Sequence, residues 1–225
     1  MKKIINDYGL TAKSIAVKCA MIMAIMAFAI FQGCTKDEEV VYPDQTSEIK
    51  SLPVESLSEA ELALLQHMRE EEKLARDVYI TMNAKWKDKV FLQISSSEQR
   101  HMDAILNLLK KYNLPDPVGD NGVGVFTDGD LQVLYNNLVE TGLTGILEAY
   151  TVGATIEDLD IYDLQQAKLN SDNKDLLRVW GNIMKASENH MCSFYGHIVA
   201  LDGTYTAQYI TQDELEDILS SDKGK

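Results

Sequence analysis

Three cysteines in 225 residues leave this chain little sulfur chemistry. Cys19 lies inside an N-terminal apolar run and Cys34 just behind it, so only Cys192 stands in the body of the sequence. That placing excludes a disulfide framework, a Cys-x-x-Cys redox pair and a rubredoxin-type iron centre. Proline is as scarce: Pro43 and Pro53 mark one segment, Pro115 and Pro117 another, and the stretches between are free to form long helices. Positive charge is short too, with 21 Lys and Arg against 35 Asp and Glu and a formal net charge of −14. Nucleic acid and anionic membrane surfaces are therefore poor partners, whereas cations are good ones. There is almost no alternating β pattern, and no internal repeat beyond paired helices.

What is present begins with an export signal. Lys2, Lys3, Lys13 and Lys18 precede an apolar run from Cys19 to Phe31, too short for a comfortable membrane span, and Phe31-Gln32-Gly33-Cys34 closes it. A cysteine behind a small residue at this point resembles the lipobox of bacterial lipoproteins, in which the cysteine is lipidated and becomes the new N-terminus. Phe31 and Gln32 depart from the usual Leu and small residue. An uncleaved anchor and an ordinary secretory signal are the alternatives, and all three export the protein. The resemblance implies a place in the cell envelope, with Cys34 carrying a lipid anchor in the outer membrane. Thr35-Lys36-Asp37-Glu38-Glu39 is similar to the acidic export tag of surface lipoproteins in the Bacteroidetes, although charged tethers are also simply soluble linkers. Loss of residues 1–33 removes those four lysines and only one acid, Asp7, so the mature chain is more acidic still.

Residues 34–56 read as a flexible tether, 57–202 as an all-α domain and 203–225 as an acidic C-terminal extension. Ser58-Glu59-Ala60-Glu61 is a capping box that predicts a first long helix to about Asn83. A turn around Lys85 to Lys89 leads to a second ending near Tyr112, and the short link makes the two an antiparallel hairpin. Asn113 to Asp130 holds Pro115, Pro117, Gly119, Gly122, Gly124 and Gly129, which predicts a long crossover. A short helix is expected over Leu131 to Glu140, a third long one over Leu143 to about Leu169 and a fourth from Asp172 to about Leu201. Thr211-x-x-Glu214 caps a short C-terminal helix.

Each long helix carries an apolar seam at three- and four-residue steps, broken midway by ionisable residues. The seams run Leu65, Met68, Glu72, Ala75, Tyr79; Ile94, Glu98, His101, Ile105; Gly153, Glu157, Asp160, Leu164; and Ile183, Ser187, His190, Phe194. Glu98-Gln99-Arg100-His101 is a Glu-x-x-His element with both side chains on one face. Taking a carboxylate out of water costs roughly several kcal/mol even after relaxation. Glu72, Glu98, Glu157 and Asp160 would be balanced by two divalent cations, with His101 and His190 as neutral ligands. The structural alternative is a wet or hydrogen-bonded polar core without metal. Glu70, Glu71 and His67 fall on other faces and are expected to be solvated, with Glu71 a fallback ligand if the first helix is rotated. Asp77 and Arg76 are expected near the surface or beside the ligands, Glu188 off the seam, and His197 one heptad beyond the site. Tyr79 and Tyr150 read as core aromatics or hydrogen-bond partners.

Glu72-x-x-Ala75 with Glu98-x-x-His101, and Glu157 with His190, resemble the ferritin-like di-iron carboxylate superfamily, whose bundles place one Glu on each of two helices and Glu-x-x-His on the other two. The run from Arg69 to Tyr79, with Ser97 to Met102 and Ser187 to His190, is similar to a bacterial ferritin-like family catalogued as domain of unknown function 2202. The resemblance spans about residues 57–202. It implies a ferritin-like antiparallel four-helix bundle with a long crossover between helix pairs and short accessory helices. It also implies two iron ions, for which manganese or zinc could substitute, and oxidation chemistry with oxygen or peroxide or on ferrous iron. Ser187 departs from the superfamily, which has Glu three residues before the last histidine, so the second metal depends on Asp160. With no rubredoxin module, electrons would come from a separate donor, and a tether at Cys34 allows a homodimer more readily than a cage. The alternative function is a non-enzymatic surface lipoprotein that binds or buffers metal, or a scaffold bundle.

Overall fold

Ser58 starts the fold. Its side chain accepts from the Glu61 backbone N–H while the Glu61 carboxylate accepts from the Ser58 N–H, so α1, Glu59–Trp86, begins in the expected capping box. Residues 54–221 are described in this computed structural model; the export signal, Cys34 and the tether up to residue 53 lie outside them. Lys87, in the left-handed region at φ 58°, ends α1, and Asp88 at once caps α2, Lys89–Lys111, by accepting from the Val90 N–H. Two residues between helices permit only an antiparallel hairpin. After the crossover come α3, Gly129–Gly142, capped by Asp128; α4, Ile146–Leu169; and α5, Lys174–Ala200, capped by Asn173. The short α6, Gln212–Ser220, starts in a second capping box at Thr211. The described residues are all-helical, with α1 and α2 forming one pair, α4 and α5 the other, and α1 packing on α4 and α2 on α5. Among the described residues no helix is long and apolar enough to cross a membrane.

The crossover is fastened to α1 by charge. Arg69 donates to both carboxylate oxygens of Asp116 at 3.0 and 3.1 Å, and Glu70 accepts from the Thr127 and Asp128 backbone N–H groups at 2.6 and 2.8 Å. Lys73 is fully buried: it donates to the Gly122 carbonyl at 2.7 Å, pairs with Asp77, and lies over the Phe126 ring. Asp77 also accepts from the Gly124 N–H, where φ is 77° and a Cβ would meet the Tyr135 ring at 2.8 Å, so glycine is needed. Two expectations are corrected here. Glu70 is not solvated and Asp77 is not at the surface; both are buried, because the face they share points at the crossover rather than at water.

The C-terminal segment is fastened in the same manner. Asp158, fully buried on α4, accepts from the Tyr205 hydroxyl and from the backbone N–H groups of Gln208 and Ile210. Tyr205, Ile210, Leu215, Ile218 and Leu219 thereby join the apolar core.

That core is in two parts. One surrounds Tyr79, Phe91, Ala154 and Phe194; the other surrounds Met68, Ile105, Leu164 and Ile183. On every long helix the ionisable seam residues fall between the two: Glu72 between Met68 and Ala75, Glu98 and His101 between Ile94 and Ile105, Glu157 and Asp160 between Ala154 and Leu164, Ser187 and His190 between Ile183 and Phe194. Four helices thus contribute to one polar layer enclosed by hydrocarbon.

Candidate metal centre

Glu98 stands at the middle of this layer. Its Oε2 is 2.6 Å from His101 Nδ1 and its Oε1 is 2.9 Å from His190 Nδ1, so the two oxygens of one carboxylate face two different imidazoles. His101 Nδ1 also meets Glu72 Oε2 at 3.0 Å, and His190 Nδ1 lies 3.4 Å from Glu157 Oε2. Two groups able to hold a metal result, Glu72 with Glu98 and His101, and Glu98 with Glu157 and His190; within each group one ligand atom per residue lies within 4.8 Å of the others. The imidazole rings are stacked with centroids 5.8 Å apart.

The side chains fit a metal by their chemistry as well as their distances. They are buried, with Glu72, Glu98 and Glu157 each 2% exposed. Glu72 Oε1, Glu98 Oε1 and His190 Nδ1 make no properly directed hydrogen bond, although Glu98 Oε1 and His190 Nδ1 lie 2.9 Å apart. A shared cation would satisfy the oxygen and nitrogen atoms left without a directed hydrogen bond. Carboxylate and imidazole suit iron, manganese and zinc alike.

Electrostatics in the layer are dominated by mutual compensation. Burial pushes the Glu72 carboxyl up to about 7, against the pull of His101. Burial acts upward on Glu98 too, but His190 and His101 outweigh it and hold this carboxyl below the ordinary range. Burial would lower both imidazoles; Glu98 and Glu72 instead raise His101 well above its usual value, and Glu98 and Glu157 raise His190 to about 10. Both shifts favour the protonated imidazoles in the absence of metal, so a cation would compete with protons to bind.

Neighbouring side chains set the orientation of the carboxylates. The Tyr79 hydroxyl donates to Glu157 Oε1 at 2.5 Å, and burial with the Glu157 charge keeps its own proton on far above the usual phenol range. Ser187, fully buried, gives its hydroxyl to Asp160 Oδ2.

Five of the six residues expected to bind metal are brought together: Glu72, Glu98, His101, Glu157 and His190. Asp160 is buried beside them but stands outside both groups, occupied by Ser187. The second group is completed by the far oxygen of Glu98, a sharing that spacing along one helix does not disclose. Glu71, expected in solvent, is 5% exposed; α1 is covered on this side by α4, whose Asp163 lies within hydrogen-bonding reach of it. Asp163 gave no sequence signal beyond sitting three residues past Asp160. His197 takes no part in the layer and stacks on Tyr150, whose hydroxyl donates to Asp88.

A family defined by sequence covers the same region. The uncharacterized protein domain DUF2202 matches residues 61–222, from the first helix through the last. The chain belongs to the DUF2202 family. This chain is also 50% identical over 173 residues to the uncharacterized protein MJ0754 of Methanocaldococcus jannaschii, covering 77% of this chain and 94% of that relative. The crystal structure of hypothetical protein MJ0754 superposes with a TM-score of 0.75, covering 76% of this chain and 98% of the other. The DUF2202 match ends at residue 222, so it includes the C-terminal segment fastened by Asp158 as well as the four long helices.

Proposed function

We propose that this DUF2202 protein is an exported, lipid-anchored, ferritin-like protein of the cell envelope. In this reading it holds two metal ions, iron in first place, in the polar layer, and uses them in oxidation by oxygen or peroxide. The single observation that carries the reading is Glu98, whose two oxygens each face a different imidazole within a group able to hold a metal. Two adjacent metals bound there would supply a redox couple able to exchange electrons with oxygen or peroxide. The side chains do the rest. Glu72 with His101 and Glu157 with His190 would hold the two ions, with Glu98 common to both groups, and Tyr79 fixes the Glu157 carboxylate by its hydrogen bond. His101 and His190 would bind as neutral imidazoles, releasing any protons they hold, and the apolar cores lie on both sides of the layer. Asp160, held by Ser187, belongs to neither position, and burial with the Glu72 and Glu157 charges pushes its carboxyl well above the ordinary range.

Anaerobic loading of the purified chain with Fe(II), followed by oxygen or peroxide, tests this. About two ions per chain and rapid oxidation, both lost in Glu98→Ala, are expected. Two ions without oxidation would assign the protein to metal binding or buffering. A folded chain that retains no metal under any loading condition would overturn both.

A further inference from the structure

The Glu157–His190 pair of the second group is the middle of three rungs between α4 and α5. Along α4 the steps from Gly153 to Glu157 to Asp160 are four and three residues, and along α5 the steps back from Phe194 to His190 to Ser187 are also four and three, as antiparallel helices require. On one side of the pair, a Cβ on Gly153 would stand 2.6 Å from the Phe194 ring. That ring is fully buried against those of Tyr79 and Phe91, with centroids 5.2 and 5.7 Å away, so it has little room to retreat. The Gly153 backbone is ordinary helix, where glycine is less stable than alanine, so its use here is the missing side chain. On the other side Ser187, fully buried, donates to Asp160 Oδ2 and ties the two helices together. Between these rungs His190 Nδ1 lies 3.4 Å from Glu157 Oε2.

We propose that Gly153 with Phe194, and Asp160 with Ser187, are spacers that fix the separation of α4 and α5 at the Glu157–His190 pair, making Gly153 and Ser187 positioning residues for the second metal ion. Their effect on metal rests on the function proposed above, whereas the spacing itself does not. The assignment gives Asp160 and Ser187 a use although neither belongs to an imidazole group. The two rungs act by different physics, close contact on one side and a hydrogen bond on the other, so each can be altered alone. The first group draws on neither rung, because Glu72, Glu98 and His101 stand on α1 and α2. The competing account is ordinary core packing, whose disturbance would weaken both groups alike.

Titration of the purified chain with Mn(II) in competition with a chelator, reading the two ions separately, distinguishes these accounts. Gly153→Ala and Ser187→Ala are each expected to lower affinity for the second ion about 10- to 100-fold, on the scale seen when a group orienting a metal ligand is removed, and to leave the first unchanged. Gly153→Ala/Phe194→Leu, which returns the space, should recover most of the loss. Gly181→Ala and Gly196→Ala on α5, where an added Cβ meets nothing within 4 Å, should leave both ions as they are. Crystal structures of the metal-free single variants read the spacing directly: the distance from His190 to Glu157 should lengthen while His101 stays beside Glu98. If the unmodified chain held no metal, the function proposed above would fall and this distance alone would decide the spacers. Unchanged second-ion affinity in both Gly153→Ala and Ser187→Ala, a loss shared equally by the two ions, or an unaltered distance would overturn the proposal. The two substitutions lie on different helices, so a folding defect in one leaves the other to decide.

Discussion

The two halves of the polar layer are built differently although they share Glu98. In the first, His101 sits 2.6 and 3.0 Å from its carboxylates, and all three residues come from α1 and α2, helices joined by two residues. In the second, His190 sits 2.9 and 3.4 Å from its carboxylates, which come from α2 and α4 while the imidazole comes from α5. One half is a property of a hairpin, and the other exists only once two hairpins have docked. The docked half also has the outside support, with Tyr79 on α1 reaching across to Glu157 on α4. Where geometry depends on distant elements, a hydrogen bond from another element is what holds a ligand in place.

Removing Glu98 should break both halves at once and is the largest effect expected. Glu98→Ala leaves two buried imidazoles without their common carboxylate, a loss on the scale of about 3–5 kcal/mol for a broken buried pair. Metal analysis should find the bound ions lost, and urea unfolding of the metal-free protein should show the destabilisation. Retention of both ions would mean that the halves are independent.

The single-histidine variants sharpen the contrast. His190→Ala should leave the hairpin half able to bind about one ion per chain, and His101→Ala should leave the docked half alone, with affinity lowered about 10- to 100-fold because Glu98 loses one of its orienting partners. Isothermal titration with Mn(II) reads both. Equal residual affinity in the two variants would show that docking is as rigid as the hairpin.

The metal-free protein has a pH signature in the docked half. His190 is raised in the folded state to about 10, by Glu98 and Glu157 against burial. Its contribution is fully present below the unfolded value of about 6.5 and is lost as pH rises through the folded one. The stability advantage of unmodified protein over His190→Ala should therefore be large near pH 6 and shrink toward pH 10, as measured by urea unfolding with chelator present. An advantage that grows with pH would show that His190 is held neutral.

The same division explains what could be read from the amino-acid order. The capping box at Ser58, the proline and glycine cluster of the crossover, and the seams of α1, α2, α4 and α5 are local signals, and they placed the all-α bundle and Glu72, Glu98, His101, Glu157 and His190 in one layer. The burial of Glu70, Glu71, Lys73 and Asp77 was not legible, because a heptad reading gives a helix one inner face. α1 has further covered sides, against the crossover and α4, and each buries charge that periodicity assigns to solvent. Asp160 was placed on the correct face, but that a serine 27 residues away would take its carboxylate is a matter of how α4 meets α5.

Tyr79→Phe is the smallest of these perturbations and separates support from ligation in the docked half. It removes only the hydroxyl that donates to Glu157 Oε1, a bond worth about 1 kcal/mol, while the ring keeps its packing against Phe91 and Phe194. Glu157 then loses its fixed orientation but remains within the second group. Affinity for the second ion should fall about 10-fold, the lower end of such losses, while the first ion binds as before because Glu72, Glu98 and His101 do not touch Tyr79's hydroxyl bond. Competition titration against a chelator of known affinity measures the two ions separately. A loss shared equally by both would show that Glu98 transmits the disturbance, making the layer one site rather than two halves.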